Sequence, residues 1–157
     1  EKYSVFDVMR LCGWPAEQVP QNVGGYKLDT ETGSLPIFIK YEASQYGDRF
    51  LNPGEIEWFS KNNRSLKSNE FRWLLDGTER TPEWQNRNFV PIFIRRKAEE
   101  QEKSYYFVGN AVALDDVRAS VNPGEDGSES KVVVSTLKLI KPVDPELYRH
   151  LTGKSAL

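Results

Sequence analysis

The segment Leu35-Pro36-Ile37-Phe38-Ile39-Lys40-Tyr41 returns 55 positions later as Val90-Pro91-Ile92-Phe93-Ile94-Arg95-Arg96. In both copies β-branched and aromatic side chains stand on both faces, as in a strand that is covered on each side. Each copy has a proline near its start, where a strand tolerates the loss of an N–H donor. A chain with two such strands must supply apolar cover for both faces of each. The doubling implies either an internal pseudo-repeat or two paired central strands of a barrel, and one repeated segment does not choose between them.

The rest of the chain reads as short elements around that pair. Ser4, with Asp7 three residues on and Val5, Phe6, Val8, Met9 and Cys12 at helical spacing, predicts a capped one-face helix that stops at Gly13 and Trp14-Pro15. Tyr26-Lys27-Leu28 predicts a short strand and Asp29 to Ser34 a turn. After a turn at Asn52-Pro53-Gly54, a strand at Ile56 to Ser60 puts Ile56, Trp58 and Ser60 on one face and Glu55, Glu57 and Phe59 on the other. Ser68 to Leu75 predicts a capped helix closed by Asp76-Gly77. Arg95-Arg96-Lys97, the acidic tip Glu99 to Glu102 and Tyr105 to Val108 predict a hairpin, and Gly109 predicts a bulge or bend in a strand that runs on to Leu114. Asn122 to Glu129 reads as a disordered loop, Lys131 to Ile140 as a strand, and Asp144-Pro145 as the cap and first turn of a terminal helix. These elements predict an α+β fold, a small curved or barrel-like mixed β-sheet flanked by two to four short helices.

At 157 residues the chain has the length of one domain, spanning 1–157. It opens on Glu1 without a charged-then-apolar leader, which reads as a segment of a longer polypeptide or a processed chain. No apolar run is long enough to span a bilayer, so no membrane partner is expected. One cysteine, Cys12, excludes an internal disulfide, and with His150 as the one histidine no Cys/His metal site can form. Cys12 reads as a small buried hydrophobe, His150 as solvated, and the origin as cytoplasmic.

Enzyme signatures are missing: there is no nucleophile elbow, no zinc-protease helix motif, no phosphate loop and no calcium run. Asp48, Glu55 and Glu57 form the one carboxylate cluster that could serve a metal or a proton transfer, though alternating acids on a strand are ordinarily its wet side. No cofactor is expected. Charge is more informative. The formal net charge of −2 argues against binding nucleic acid by bulk charge. Yet Lys61, Arg64, Lys67 and Arg72 face only Glu70, and Arg87, Arg95, Arg96 and Lys97 face no nearby acid, while acids collect in the Glu99 to Glu102 tip and in Asp115 to Glu129. A near-neutral domain can still present a basic face.

The stretch Tyr46 to Arg64 gathers aromatics, a carboxylate, a hydroxyl and cations around Pro53-Gly54. Tyr46, Phe50 and Trp58 suit stacking on an extruded base, and Asp48 and Ser60 suit hydrogen bonds to its edge, since a carboxylate accepts from an exocyclic amino group. Lys61, Asn62, Arg64 and Lys67, with Arg95 from the second twin strand, suit phosphate contacts. The competing reading makes the aromatics core and Asp48 a turn-builder after Gly47.

The ordered pattern Phe38-x-x-Tyr41, Tyr46-x-Asp48-x-Phe50, Trp58-x-Ser60, Ser68 at a helix start, Ile92-Phe93-Ile94-Arg95-Arg96-Lys97 and Tyr106-Phe107-Val108-Gly109 resembles a domain found at the C-terminus of bacterial superfamily II helicases. Some of these helicases also carry a phospholipase-D-like or other nuclease module. The resemblance runs from about Tyr3 to Tyr148, and Leu137-x-Leu139, Pro142 and Leu147-Tyr148 suit that terminal position. In the similar domain of SauUSI-like type IV restriction enzymes the resemblance implies an SRA/PUA-like curved barrel that reads 5-methylcytosine or 5-hydroxymethylcytosine in duplex DNA by accepting a flipped base. It further implies a bacterial cytoplasmic protein, a helicase and a nuclease in cis, and a binding rather than a catalytic role. The alternative of a different class is a docking or regulatory module that contacts its helicase through the Arg95 to Val108 hairpin and its acidic tip.

Overall fold

The computed structural model of the protein describes residues 2–5, 7–8, 25–29, 33–42, 47–75, 90–99, 104–123 and 126–154. Strands are β1 (Lys2–Ser4), β2 (Ile37–Tyr41), β3 (Arg49–Asn52), β4 (Glu55–Phe59), β5 (Pro91–Arg96), β6 (Ser104–Pro123) and β7 (Glu129–Leu139). Helix α1 is Asn69–Leu74, helix α2 is Pro145–Thr152, and a 3-10 turn covers Lys97–Glu99. One mixed seven-stranded sheet runs in the order β2-β5-β6-β7-β4-β3, with β1 added beside β6. Among the described residues no helix is long and apolar enough to cross a membrane.

The twin segments are partners. β2 and β5 pair in parallel with Ile37 beside Ile92, Phe38 beside Phe93 and Ile39 beside Ile94, so each residue meets its own copy. Alternation then sends the isoleucines to one face and the phenylalanines to the other. Ile37, Ile39, Ile92 and Ile94 enter the main core. Phe38 and Phe93 stack at 5.4 Å and build a second cluster with Val8 and Tyr105. β5 is internal as expected, but β2 stands at the end of the strand order.

β6 carries both halves of the sheet. Over its 20 residues it pairs with β1 and β5 and then with β7. Gly109, at φ 140°, lies where the register with β5 shifts, in backbone space open to glycine. Two further shifts, between Ala111 and Ala113 and between Asp115 and Arg118, continue the bend. The strand therefore passes the expected end at Leu114. Asn122 and Pro123 belong to β6 and Glu129 to β7, so the ends of the segment expected to be disordered are ladder-paired. β7 is buried on both faces from Val132 to Leu137.

The sheet curls until its ends meet. Tyr41 on β2 and Phe50 on β3, from opposite ends of the strand order, have ring centroids 5.8 Å apart, and Tyr148 of α2 packs on Phe50 at 5.2 Å. Phe71 and Leu74 of α1 close the same core. The result is α+β, a curved barrel-like mixed sheet with short helices against it.

Local chemistry explains the element ends. Ser4 and Asp7 exchange side-chain and backbone hydrogen bonds, as their spacing predicts. Asp144 accepts from the N–H groups of Glu146 and Leu147, and Gly153 takes the left-handed conformation after α2. Two expectations differ. Tyr26 to Leu28 is no strand: Tyr26 bridges Ile37 and Asp29 bridges Ser34, as a turn. Ser68 does not cap α1 with its hydroxyl, which instead accepts from the N–H of Ser65 in the preceding turn. Cys12, Gly13 and Trp14-Pro15, Asp76-Gly77, Arg87 and Glu100 to Glu102 fall outside the described residues.

Candidate functional site

The β3–β4 hairpin fixes where the side chains from Asp48 to Arg64 go. Asn52 locks its turn, accepting from Gly54 N–H at 2.9 Å and donating to Glu55 at 2.8 Å. Alternation along β4 then turns Ile56, Trp58 and Ser60 inward, as the pattern predicts. The inside is already filled. Trp58 is 1% exposed and packs against Tyr26 at 5.2 Å and Phe71 at 5.7 Å. Phe50 lies between Tyr41 and Tyr148. Both rings are core, because the curl of the sheet brings other aromatics over the face they share.

Ser60 is a clip between strands: its hydroxyl donates to the Lys61 carbonyl at 2.9 Å and accepts from Val133 N–H at 2.8 Å. Asp48 accepts from Phe59 N–H at 2.7 Å. Burial pushes its carboxyl up to about 7, against the pull of that hydrogen bond. Tyr46 lies outside the described residues. The remaining acids of the suspected cluster are on the wet face, where Glu57 pairs with Arg49 at 3.5 Å and Arg118 at 3.4 Å, and Glu55 with Lys138 at 3.9 Å. Among the described residues no group of acids, histidines or cysteines could hold a metal ion.

The loop after β4 is latched to β7. Asn63, at φ 63°, and Arg64 both donate their N–H groups to the Lys131 carbonyl. Asn62 accepts from the side chain of Asn122 at 3.1 Å, and Lys67 lies exposed one turn further on. Arg95 is elsewhere: it points to the phenylalanine side of β5 and lies over the Tyr105 ring at 4.7 Å. The structure thus joins Lys61, Asn62, Arg64 and Lys67 on one loop and separates Arg95 from them.

That loop forms one wall of a cleft of about 1260 Å³, whose other walls are the Tyr26 to Asp29 turn and α1. Tyr26 donates its hydroxyl hydrogen to Glu70 at 2.6 Å and accepts from Lys61 N–H at 3.1 Å. Arg64 Nε donates to the same Glu70 oxygen at 3.0 Å, and the Lys61 ammonium lies 4.7 Å from the Tyr26 ring centre. Burial, then the bond to Glu70, pushes the Tyr26 hydroxyl well above its ordinary value, so it remains a donor. Burial, then the Arg64 charge, pulls Lys61 down. Burial works against the Arg64 charge too, but its bond to Glu70 and the Glu70 charge outweigh this and raise it.

Lys27, Arg72 and the ring of Trp73 complete the lining. Sequence reasoning did not single out Tyr26, Lys27 or Trp73. Glu70 is visible in the sequence as the sole acid among the cations of this stretch.

In overall fold the chain is similar to the structure of the MspJI restriction endonuclease in complex with a 27-mer oligonucleotide: 16% identity and a TM-score of 0.49, over 75% of this chain and 32% of that one. It is also similar to the sulfur binding domain and SRA domain of ScoMcrA complexed with phosphorothioated DNA: 16% identity and a TM-score of 0.48, over 100% of this chain and 45% of that one. The chain thus spans less than half the length of either structure. No curated protein matches it. The family model described as a domain of unknown function, DUF3427, matches residues 1–151.

Proposed function

The chain belongs to the DUF3427 family, a domain of unknown function, and we propose that this member reads modified cytosine in duplex DNA. The observation that carries the reading is the cleft. Lys27, Lys61, Arg64 and Arg72 line it with only Asp29 and Glu70 for acids, in a chain whose net charge is −2. Glu70 is already engaged by Tyr26 and Arg64, so the rim keeps a positive excess. Cations on a rim attract and position phosphates, and the half-buried ring of Trp73 offers a face for a base turned out of the duplex.

In this reading Lys61, Asn62, Arg64 and Lys67 follow the DNA backbone while 5-methylcytosine or 5-hydroxymethylcytosine leaves the stack. Phe50, Trp58 and Ser60 act from behind: Trp58 supports Tyr26, and Ser60 ties Lys61 to β7. Tyr46 and Asp48 keep the roles of a further stacking ring and a base-edge acceptor in this reading, with Asp48 outside the residues that line the cleft. The domain is a binding module, and the helicase and nuclease it would direct in a type IV restriction system are other segments in cis.

The test is a fluorescence anisotropy titration of the 157-residue chain with duplexes of one sequence carrying cytosine, 5-methylcytosine or 5-hydroxymethylcytosine. Tighter binding to a modified duplex is expected. Equal affinity for all three overturns the modified-base reading, and no binding to any of them overturns DNA reading altogether.

A further inference from the structure

A second concavity, of about 770 Å³, opens at the other end of β2, between the last residues of β5 and the C-terminal turn of α2. Its cations arrive there by strand geometry. The parallel register sets Arg96 beside Tyr41, and alternation places Arg96 on the face that Ile92 and Ile94 occupy, while Arg95 goes to the opposite face. Arg96 therefore ends a core-facing row at the mouth of the barrel. Lys97 follows it, and α2 contributes Arg149 and His150.

The charge there is unbalanced. Glu42 is the acid of the lining, and Lys97 holds it at 3.4 Å. Among the described residues no carboxylate pairs with Arg96 or Arg149. Two guanidinium groups, on a strand end and on a helix, thus flank a hollow in which Glu42, held by Lys97, is the one carboxylate among the described residues. Burial also keeps the Tyr41 hydroxyl of the wall protonated, able to donate.

We propose that this hollow is an anion site that takes a phosphate group. Arginine presents paired N–H donors that match phosphate oxygens, and two arginines suit a multiply charged oxyanion better than a single carboxylate. The site is separate from the cleft at Tyr26. Tyr26 bridges Ile37 where β2 begins and Tyr41 ends it, so the strand alone sets them about 13 Å apart, too far for one phosphate to serve both. The inference does not depend on the modified-cytosine reading. The phosphate can come from a free phosphorylated molecule or from the backbone of bound DNA.

The experiment is a ¹⁵N-edited NMR titration of the 157-residue chain with sodium pyrophosphate at constant ionic strength, following the His150 and Gly153 amides. A saturable shift is expected, with the dissociation constant raised at least about tenfold in Arg96→Ala/Arg149→Ala. Shifts that do not saturate, that sodium sulfate reproduces at equal ionic strength, or that the double substitution leaves unchanged overturn the site. Arg149→Ala alone, at an exposed helical position, gives the same comparison if the double variant fails to fold. An unmodified duplex titrated into the parent chain assigns the source: a shift at Gly153 that Arg149→Ala abolishes identifies a DNA phosphate, and no shift there beside a retained pyrophosphate response identifies a free one.

Discussion

Tyr26 and Glu70 stand 44 positions apart in sequence and share a 2.6 Å hydrogen bond, from hydroxyl to carboxylate, at the back of the cleft. The same hydroxyl accepts from Lys61 N–H and the same carboxylate oxygen from Arg64. These three bonds tie the turn before β2, the loop after β4 and helix α1 into a single wall. A buried carboxylate stripped of one donor is costly. Tyr26→Phe is expected to lower stability by about 1–3 kcal/mol, read as a lower urea midpoint at an unchanged slope. An unchanged midpoint would mean the bond is dispensable.

The two tryptophans of this region should behave differently. Trp58 is 1% exposed, so Trp58→Ala is expected to destabilise by about 3–5 kcal/mol and to lose DNA with the fold. Trp73 is half-buried on the cleft wall, and Trp73→Ala should lose less stability but about 1–3 kcal/mol of duplex binding. Calorimetry beside anisotropy separates the two. Equal unfolding temperatures for the two variants would contradict the burial of Trp58.

Asp48 adds a pH dependence. Its folded carboxyl, near 7, lies above the value of about 3.9 in an unfolded chain. The folded state therefore holds a proton that the unfolded state releases first. The contribution is full below pH 4, declines as pH rises toward 7 and is gone above it, with an upper bound of about 4 kcal/mol. Asp48→Asn should remove this decline while keeping an acceptor for Phe59 N–H. Urea midpoints from pH 4 to 8 check it, and parallel curves for parent and variant would refute it.

At Gly109 the penalty is one of backbone, not space. An added Cβ would meet Leu139 at an ordinary 3.7 Å, but φ 140° disfavours any L side chain. Gly109→Ala should lower stability by about 1–3 kcal/mol, measurable by thermal unfolding. A neutral effect would show that β6 can bend there without glycine.

For DNA, Lys61→Ala with Arg72→Ala is the informative pair, because Arg64 also serves Glu70 and its loss would leave that buried acid short of a partner. The double variant should bind duplex more weakly, and its plot of log affinity against log salt should be shallower by about 0.9 for each phosphate it no longer neutralises. An unaltered slope would remove these cations from the interface.

The sequence made local features legible and long-range ones much less so. The Ser4–Asp7 exchange, the Asp144 cap, the Gly109 irregularity and the inward row Ile56, Trp58, Ser60 all follow from residues within a few positions of one another. Trp58 was legible as inward, but not as covered, because its covers Tyr26 and Phe71 come from outside its hairpin. The end of β6 was misplaced because Asp115 to Pro123 mixes charges and small residues, and its ladder partners lie beyond a turn in β7. Glu70 could be read as the acid among cations, whereas its tie to Tyr26 exists only once the barrel has curled.

The pairing of the twin strands also sets an order of events. β5 is flanked by β2, made earlier, and by β6, made later, so β2 waits through some fifty residues of chain growth before its partner exists. The β3–β4 hairpin, by contrast, can form from neighbours alone. Pairing across so long an interval is slow, and in the meantime the Ile-Phe-Ile edge of β2 is open to a β5 from another copy, which carries the same letters. The topology therefore predicts exchange of this strand between chains at high concentration as a route of misfolding, one that early completion of the chain through Arg96 would close.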